Sequence, residues 1–176
     1  QFEELQSLLE RAMALQTSMV LFEWDDETLA PKGAAEHTAR VIGSLSEQYQ
    51  EILASMRFKE LLDVCLKAEK ENAGVFDEVQ SAILREAAEE QERLSCIPPE
   101  EYRAYAELTA RATGIWTRAR EKNDFASFAP VLKEIISYQK KFAAYRAKPG
   151  QKLYDVMLDT YEKGFNMEML DPFFEL

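Results

Sequence analysis

One histidine, two cysteines, six glycines and six prolines are all that this 176-residue chain offers of the residue types that most often activate or punctuate a protein. Each scarcity excludes something. A hydrolytic zinc centre typically needs two histidines and a carboxylate, with water in the fourth position, and His37 alone does not supply that set. The H-E-x-x-H spacing is missing as well, because Glu36-His37 runs on into Thr38-Ala39-Arg40. His37 therefore reads as a surface histidine on a polar helix face. Cys65 and Cys96 stand apart in no metal or redox spacing, which suits free thiols in a reducing compartment. With no histidine assigned to either, a thiol nucleophile has little support. No G-x-S-x-G elbow, phosphate-binding loop or dinucleotide fingerprint occurs.

Long apolar runs are also lacking. No stretch of about 18 apolar residues is available to span a bilayer. The first residues lack the basic region and apolar run of a secretory leader, so the expected location is cytoplasmic. Basic residues are outnumbered, 21 against 32 acids, for a net charge of −11. Nucleic acid and anionic membrane both call for cationic surface, so neither is expected as a partner.

What is present is helix-forming sequence. The chain is 47% hydrophobic and about one domain long, enough to bury a core. Apolar residues recur at intervals of three and four almost throughout, and nothing alternates cleanly at period two. The spacing predicts a single all-α unit over residues 1–176, a multi-helix antiparallel assembly without repeats or linkers. A first helix over about residues 2–29 would bury Leu5, Leu8, Leu9, Ala12, Met19 and Phe22. Pro31-Lys32-Gly33 interrupts it. A second helix over residues 34–55 carries Val41, Leu45, Tyr49, Ile52 and Leu53, and a third spans residues 58–70 before the Asn72-Ala73-Gly74 turn. The next covers residues 75–94. Ile97-Pro98-Pro99-Glu100-Glu101 is a strong helix start, with proline in the first turn and acids at the positive end of the dipole. Its stripe passes through Tyr105, Thr109 and Ala112 to Trp116, and the helix ends at Asn123 or Asp124. Another helix covers residues 125–146, Lys148-Pro149-Gly150 turns the chain, and a helix over residues 153–162 stops at Gly164, a left-handed cap.

Near the carboxyl end, Asn166 caps a last helix, or Asp171 does so with Pro172 at its first position. Met169, Leu170, Phe173, Phe174 and Leu176 concentrate apolar surface on that barely begun element. This predicts that polypeptide continues beyond Leu176, and the absent initiator methionine agrees. Charge is uneven too: residues 71–101 hold nine acids and two bases, residues 102–148 ten bases and four acids. These are two solvated helix faces, or, if the helices pack antiparallel, facing surfaces whose exposed pairs each contribute only about 0–1 kcal/mol.

Two clusters are candidates for more than packing. Asp155, Asp159 and Glu162 fall at i, i+4 and i+7, one stripe on a helix otherwise rich in apolar and aromatic residues such as Tyr154 and Tyr161. Such a helix is expected to be buried on most sides. The carboxylates repel unless they meet solvent, arginine or a cation. They are a solvated stripe, a structural salt bridge to Arg111 or Arg118, a groove-lining or partner-contacting face, or, least of all, a metal site. In Trp24-Asp25, the tryptophan is expected in the core with an acceptor for its indole N–H. Asp25 or Asp26 would brace the following turn or cap the helix after Gly33. Arg40 is a surface or salt-bridging arginine, or a buried partner of Asp25 whose fork geometry it would suit.

Four stretches together resemble the thermostable (Taq-type) zinc carboxypeptidase family over most of the chain. They are Trp24-Asp25 with Pro31, Gly33, Ala34 and Arg40; Ile97-Pro98-Pro99-Glu100 followed by Trp116; Asn123-Asp124-Phe125-Ala126-Ser127-Phe128-Ala129-Pro130; and residues 154–164, where Lys163 stands in place of the family's usual proline before Gly164. The resemblance implies a parent enzyme of two helical halves flanking a deep groove. It also implies one zinc ion, release of single residues from peptide carboxyl termini, and often a homodimer. In that chemistry zinc polarises the scissile carbonyl and the glutamate of H-E-x-x-H activates water. Those ligands would follow Leu176, so no catalytic or metal residue transfers to any position here. The chain would supply one groove wall and packing for the carboxyl-terminal half, and would be inactive by itself. A free-standing, non-catalytic helical interaction module is the alternative, and an acidic cation-binding helix a third.

Overall fold

A computed structural model describes residues 1–31 and 33–174, and among them are eight helices and no strand. In chain order these are α1 (Phe2–Thr28), α2 (Ala35–Ala54), α3 (Met56–Glu71), α4 (Glu78–Ser95), α5 (Pro99–Glu121), α6 (Phe125–Arg146), α7 (Leu153–Tyr161) and α8 (Met167–Phe174). The all-α expectation holds. Lys32, in the break between α1 and α2, and Leu176, in the expected apolar end, lie outside the described residues.

Local chemistry sets most boundaries. The Ser55 hydroxyl accepts the Phe58 N–H at 3.1 Å and opens α3. Asp77 and Gln80 form a reciprocal capping box at the start of α4, satisfying two N–H groups that the helix leaves unpaired. Pro99 is the first residue of α5. Asn123, at φ 52°, carries the chain out of α5, and the Asp124 carboxylate accepts the Ser127 N–H at 3.2 Å to start α6. Gly150 and Gly164 adopt φ of 82° and 80°, which explains glycine at those turns. Asn166 accepts the Met169 N–H at 3.1 Å, so α8 starts there and Pro172 falls inside the helix.

α2 is the axis of the fold. It packs against α1, α3 and α4, and along the greatest length against α5. Glu36 pairs with Arg111, and Glu47 with Arg103, so the two helices run antiparallel. Between these pairs Gly43 meets Glu107 so closely that a Cβ would sit 2.3 Å from Glu107 Cγ. Glu107 cannot retreat freely, because it accepts from Arg103 at 3.0 Å and pairs with Arg111 at 3.6 Å. Gly43→Val is therefore expected to destabilise the protein by about 2 kcal/mol through overpacking. A shifted denaturant midpoint would report it, and an unchanged midpoint would contradict the close approach.

The main core joins α1, α2, α3 and α4 around Leu5, Leu53, Phe58, Leu61, Leu84 and Leu94. A smaller aromatic group, Tyr105, Tyr138 and Phe142, with centroids 5.3–5.8 Å apart, ties α5 to α6. Glu101 pairs with Lys141 at 2.5 Å, and Gln139 hydrogen-bonds the Tyr105 hydroxyl, so these helices are antiparallel as well.

Several expectations need correction. On α2 the buried line runs through Ala39, Ile42, Gly43, Ser46, Gln50 and Leu53, while Val41, Leu45 and Tyr49 are half-buried. Neighbours press on α2 from several sides, and small residues occupy the closest crossings. Phe22 is exposed rather than buried. Spacing identifies an apolar face but not whether a neighbour covers it. α4 packs on α2 and α3, so the acidic and basic stretches do not form one facing pair.

Candidate functional site

Between the helices opens a cleft of about 1560 Å³. Residues of α1, α4, the end of α6 and α7 line it, together with Tyr49 and Leu53 of α2. Acidic residues predominate along α4, where Glu86, Glu89, Glu90 and Glu92 contribute, and Asp159 adds another from α7. An ion pair between Lys163 and Glu89 connects the α7–α8 turn to α4. A smaller cleft of about 550 Å³ lies among α1, α2 and α5. Glu23 lines it, and burial, with the nearby Glu27, pushes its carboxyl pKa upward.

One end of the larger cleft has a distinct charge arrangement. Arg93 donates to Glu90 through Nε at 2.7 Å and Nη2 at 2.5 Å. Glu90 also accepts the Tyr49 hydroxyl at 3.1 Å. Burial together with that carboxylate holds the Tyr49 pKa well above its ordinary value. Burial works against the charge on Arg93, but Glu90 outweighs it and keeps the guanidinium pKa raised. Arg146 reaches in from α6 and donates Nε to the Arg93 carbonyl at 3.2 Å. Burial and the neighbouring Arg93 push its pKa down. The sequence carried a faint signal of this group, since Arg93 is one of only two bases in residues 71–101. It held nothing to bring Arg146 alongside.

The residues expected from sequence divide between two places. Asp159 and Tyr161 line the large cleft, whereas Trp24, Asp25 and Arg40 line neither cleft. Trp24 is 56% exposed, so the expected core tryptophan is a surface residue. Ala34 is the N-cap of α2 and no side chain caps the helix, so neither Asp25 nor Asp26 fills that role. Arg40 is exposed and pairs with Glu36 at 3.6 Å, not with Asp25. Trp24 and Leu29 present apolar surface here that the other described residues leave uncovered.

α7 also departs from expectation. Val156 is its only buried residue among those described, and Tyr154 and Tyr161 are exposed, the latter at 82%. A peripheral helix packed on α6 and α8 has few neighbours to cover it. Asp155 accepts the Met167 N–H at 2.9 Å, and Asp159 accepts the Gly164 N–H at 2.8 Å. Both carboxylates thus brace the α7–α8 turn, and Arg111 pairs with Glu36 and Glu107 instead. Glu162 lies just past the end of α7 as its exposed C-cap, which shortens the acidic stripe to two residues.

A catalytic zinc ion does not fit the side chains present. His37 is exposed on α2, and its neighbour Glu36 is engaged by Arg40 and Arg111. Among the described residues no group of three or more His, Cys, Asp or Glu side chains is placed to hold a metal. What the arrangement offers is shape and charge: a long mixed cleft, acidic along one wall and cationic at one end.

Among the described residues, an all-α framework with a large cleft and no three metal-ligating side chains placed together defines a helical scaffold carrying a groove. Residues 4–176 match the carboxypeptidase Taq (M32) metallopeptidase family, and the chain belongs to it. It is 34% identical to carboxypeptidase 1 of Bacillus subtilis over 98% of its own length and 33% of that protein's. It is 30% identical to thermostable carboxypeptidase 1 of Pyrococcus furiosus, covering 94% of this chain and 32% of the relative. The crystal structure of BsuCP superposes with a TM-score of 0.91 at 33% identity, over 99% of this chain and 34% of that one. Metallocarboxypeptidase 1 of Trypanosoma cruzi gives a TM-score of 0.74 at 27% identity, again over 99% and 34%. The chain thus spans about a third of the length of the relatives it matches. Among the described residues no helix is long and apolar enough to cross a membrane.

Proposed function

We propose that these residues form the amino-terminal helical part of a zinc-dependent metallocarboxypeptidase, an enzyme that removes residues from peptide carboxyl termini. In this reading they supply one wall of the substrate groove and a packing surface for the carboxyl-terminal half, which carries H-E-x-x-H and the zinc. The observation that carries it is a family match from residue 4 to residue 176 in a sequence with a single histidine. The acidic α4 wall and the exposed apolar residues of α1 and α8, including Trp24, Phe173 and Phe174, support the same reading. A large uncovered apolar surface marks a place where other polypeptide docks. A cytoplasmic location and a homodimeric parent belong to the proposal as well.

The test is turnover. The purified 176-residue chain, supplied with zinc and a blocked dipeptide substrate, is expected to release no amino acid above the rate of the metal alone. A polypeptide that adds the downstream zinc motif is expected to hydrolyse the same substrate. Sustained hydrolysis by the 176 residues alone would refute the assignment.

A further inference from the structure

We propose that the Arg93–Arg146 end of the large cleft is a binding site for a carboxylate carried on a neutral or cationic body. Two guanidiniums meet there, and one carboxylate answers them. Glu90 already spends both oxygens on Arg93 and accepts the Tyr49 hydroxyl as well. Among the described residues Arg146 donates to the Arg93 main-chain carbonyl and to no carboxylate, and none of the ion pairs includes it. The group therefore carries one positive charge in excess, partly buried, inside a chain of net charge −11. Both arginines sit in the last turns of their helices, where the negative ends of α4 and α6 offset part of that charge. A half-buried guanidinium left with unused donors is costly, and a carboxylate meets its planar fork with two parallel hydrogen bonds. Burial, and then the nearby Arg93, push the Arg146 pKa down, and an anion docked on the guanidinium would offset both.

The surroundings select the ligand's charge. Glu86, Glu89, Glu92 and Asp159 line the same cleft. They repel a second negative charge and favour a cationic or neutral remainder, which disfavours phosphate against a monocarboxylate. The inference stands on this charge balance and is independent of whether the cleft carries a peptidase substrate.

Cys96 provides the test, because it is exposed, lines the cleft and lies beside Arg146, whereas Cys65 is buried. Alkylation by iodoacetate, a carboxylate, is compared with alkylation by neutral iodoacetamide. Both reagents consume the same thiolate, so their rate ratio is insensitive to thiol acidity. The ratio at Cys96 is expected to exceed that of an unstructured neutral cysteine peptide by about tenfold, the scale of one charge-assisted hydrogen bond. Arg146→Gln is expected to return it to the peptide's value, and Glu90→Gln, which removes the competing carboxylate, to raise it further. N-acetylglycine should protect Cys96 from iodoacetate, N-acetylglycinamide should not, and inorganic phosphate should protect less than N-acetylglycine. A wild-type ratio equal to the peptide's, or a drop in Glu90→Gln, would overturn the site even if Arg146→Gln fails to fold. Stronger protection by phosphate would overturn the choice of a monocarboxylate.

Discussion

Phe58→Ala is expected to lower the free energy of unfolding by about 4 kcal/mol, the largest single loss in this fold. Phe58 is 0% exposed and sits where α1, α2, α3 and α4 converge, among Leu5, Leu53, Leu61 and Leu84. Four helices contribute to its pocket, so no one of them can move in to fill the void. Its N–H is the group capped by Ser55, which fixes the ring at the first turn of α3. The measurement is chemical denaturation followed by circular dichroism. A loss below about 1 kcal/mol would mean that the pocket collapses freely and that α1 to α4 do not form one cooperative core.

Gln50→Leu is expected to cost about 3 kcal/mol, although it places an apolar side chain in an apolar setting. Gln50 is completely buried, and its Nε2 donates to the Leu94 carbonyl at 3.1 Å and the Ile97 carbonyl at 2.6 Å. Those carbonyls belong to the end of α4 and the link into α5, where a helix runs out of its own donors. One side chain of α2 thus holds the α4–α5 corner against the central helix. Leucine fills the volume but leaves the Ile97 carbonyl buried without that donor. Its Oε1 has no partner among the described residues, so part of the loss is offset when that atom disappears. Hydrogen exchange gives the discriminating readout: faster exchange confined to the end of α4 and the start of α5 is expected. A uniform change would point to general loosening instead.

Local signals in the sequence were the dependable ones. Pro99, Gly150, Gly164 and Asn166 each dictate a turn or helix start through their own backbone or side chain, and each does so in the structure. Asp155 and Asp159 were legible as neighbours on one face. Their partners, the N–H groups of Met167 and Gly164, depend on how the chain doubles back after α7. Trp24 and Phe22 show the opposite failure, since apolar character says that a residue favours burial, not which polypeptide buries it. The cleft was the least legible feature. Arg93 and Arg146 are far apart in sequence and meet only because α4 and α6 flank the same space. Nothing periodic encodes that meeting. Family resemblance, by contrast, was carried by short ordered motifs, and it foretold the helical class and the membership that the whole-chain match bears out.

The most direct test of the central claim, that these 176 residues carry scaffold and groove but not the hydrolytic centre, is zinc stoichiometry. The chain is equilibrated with excess zinc, passed through a desalting column, and analysed for metal per polypeptide. Well below one zinc per chain is expected, unchanged by His37→Ala. One tightly held zinc per chain, lost in His37→Ala, would contradict it.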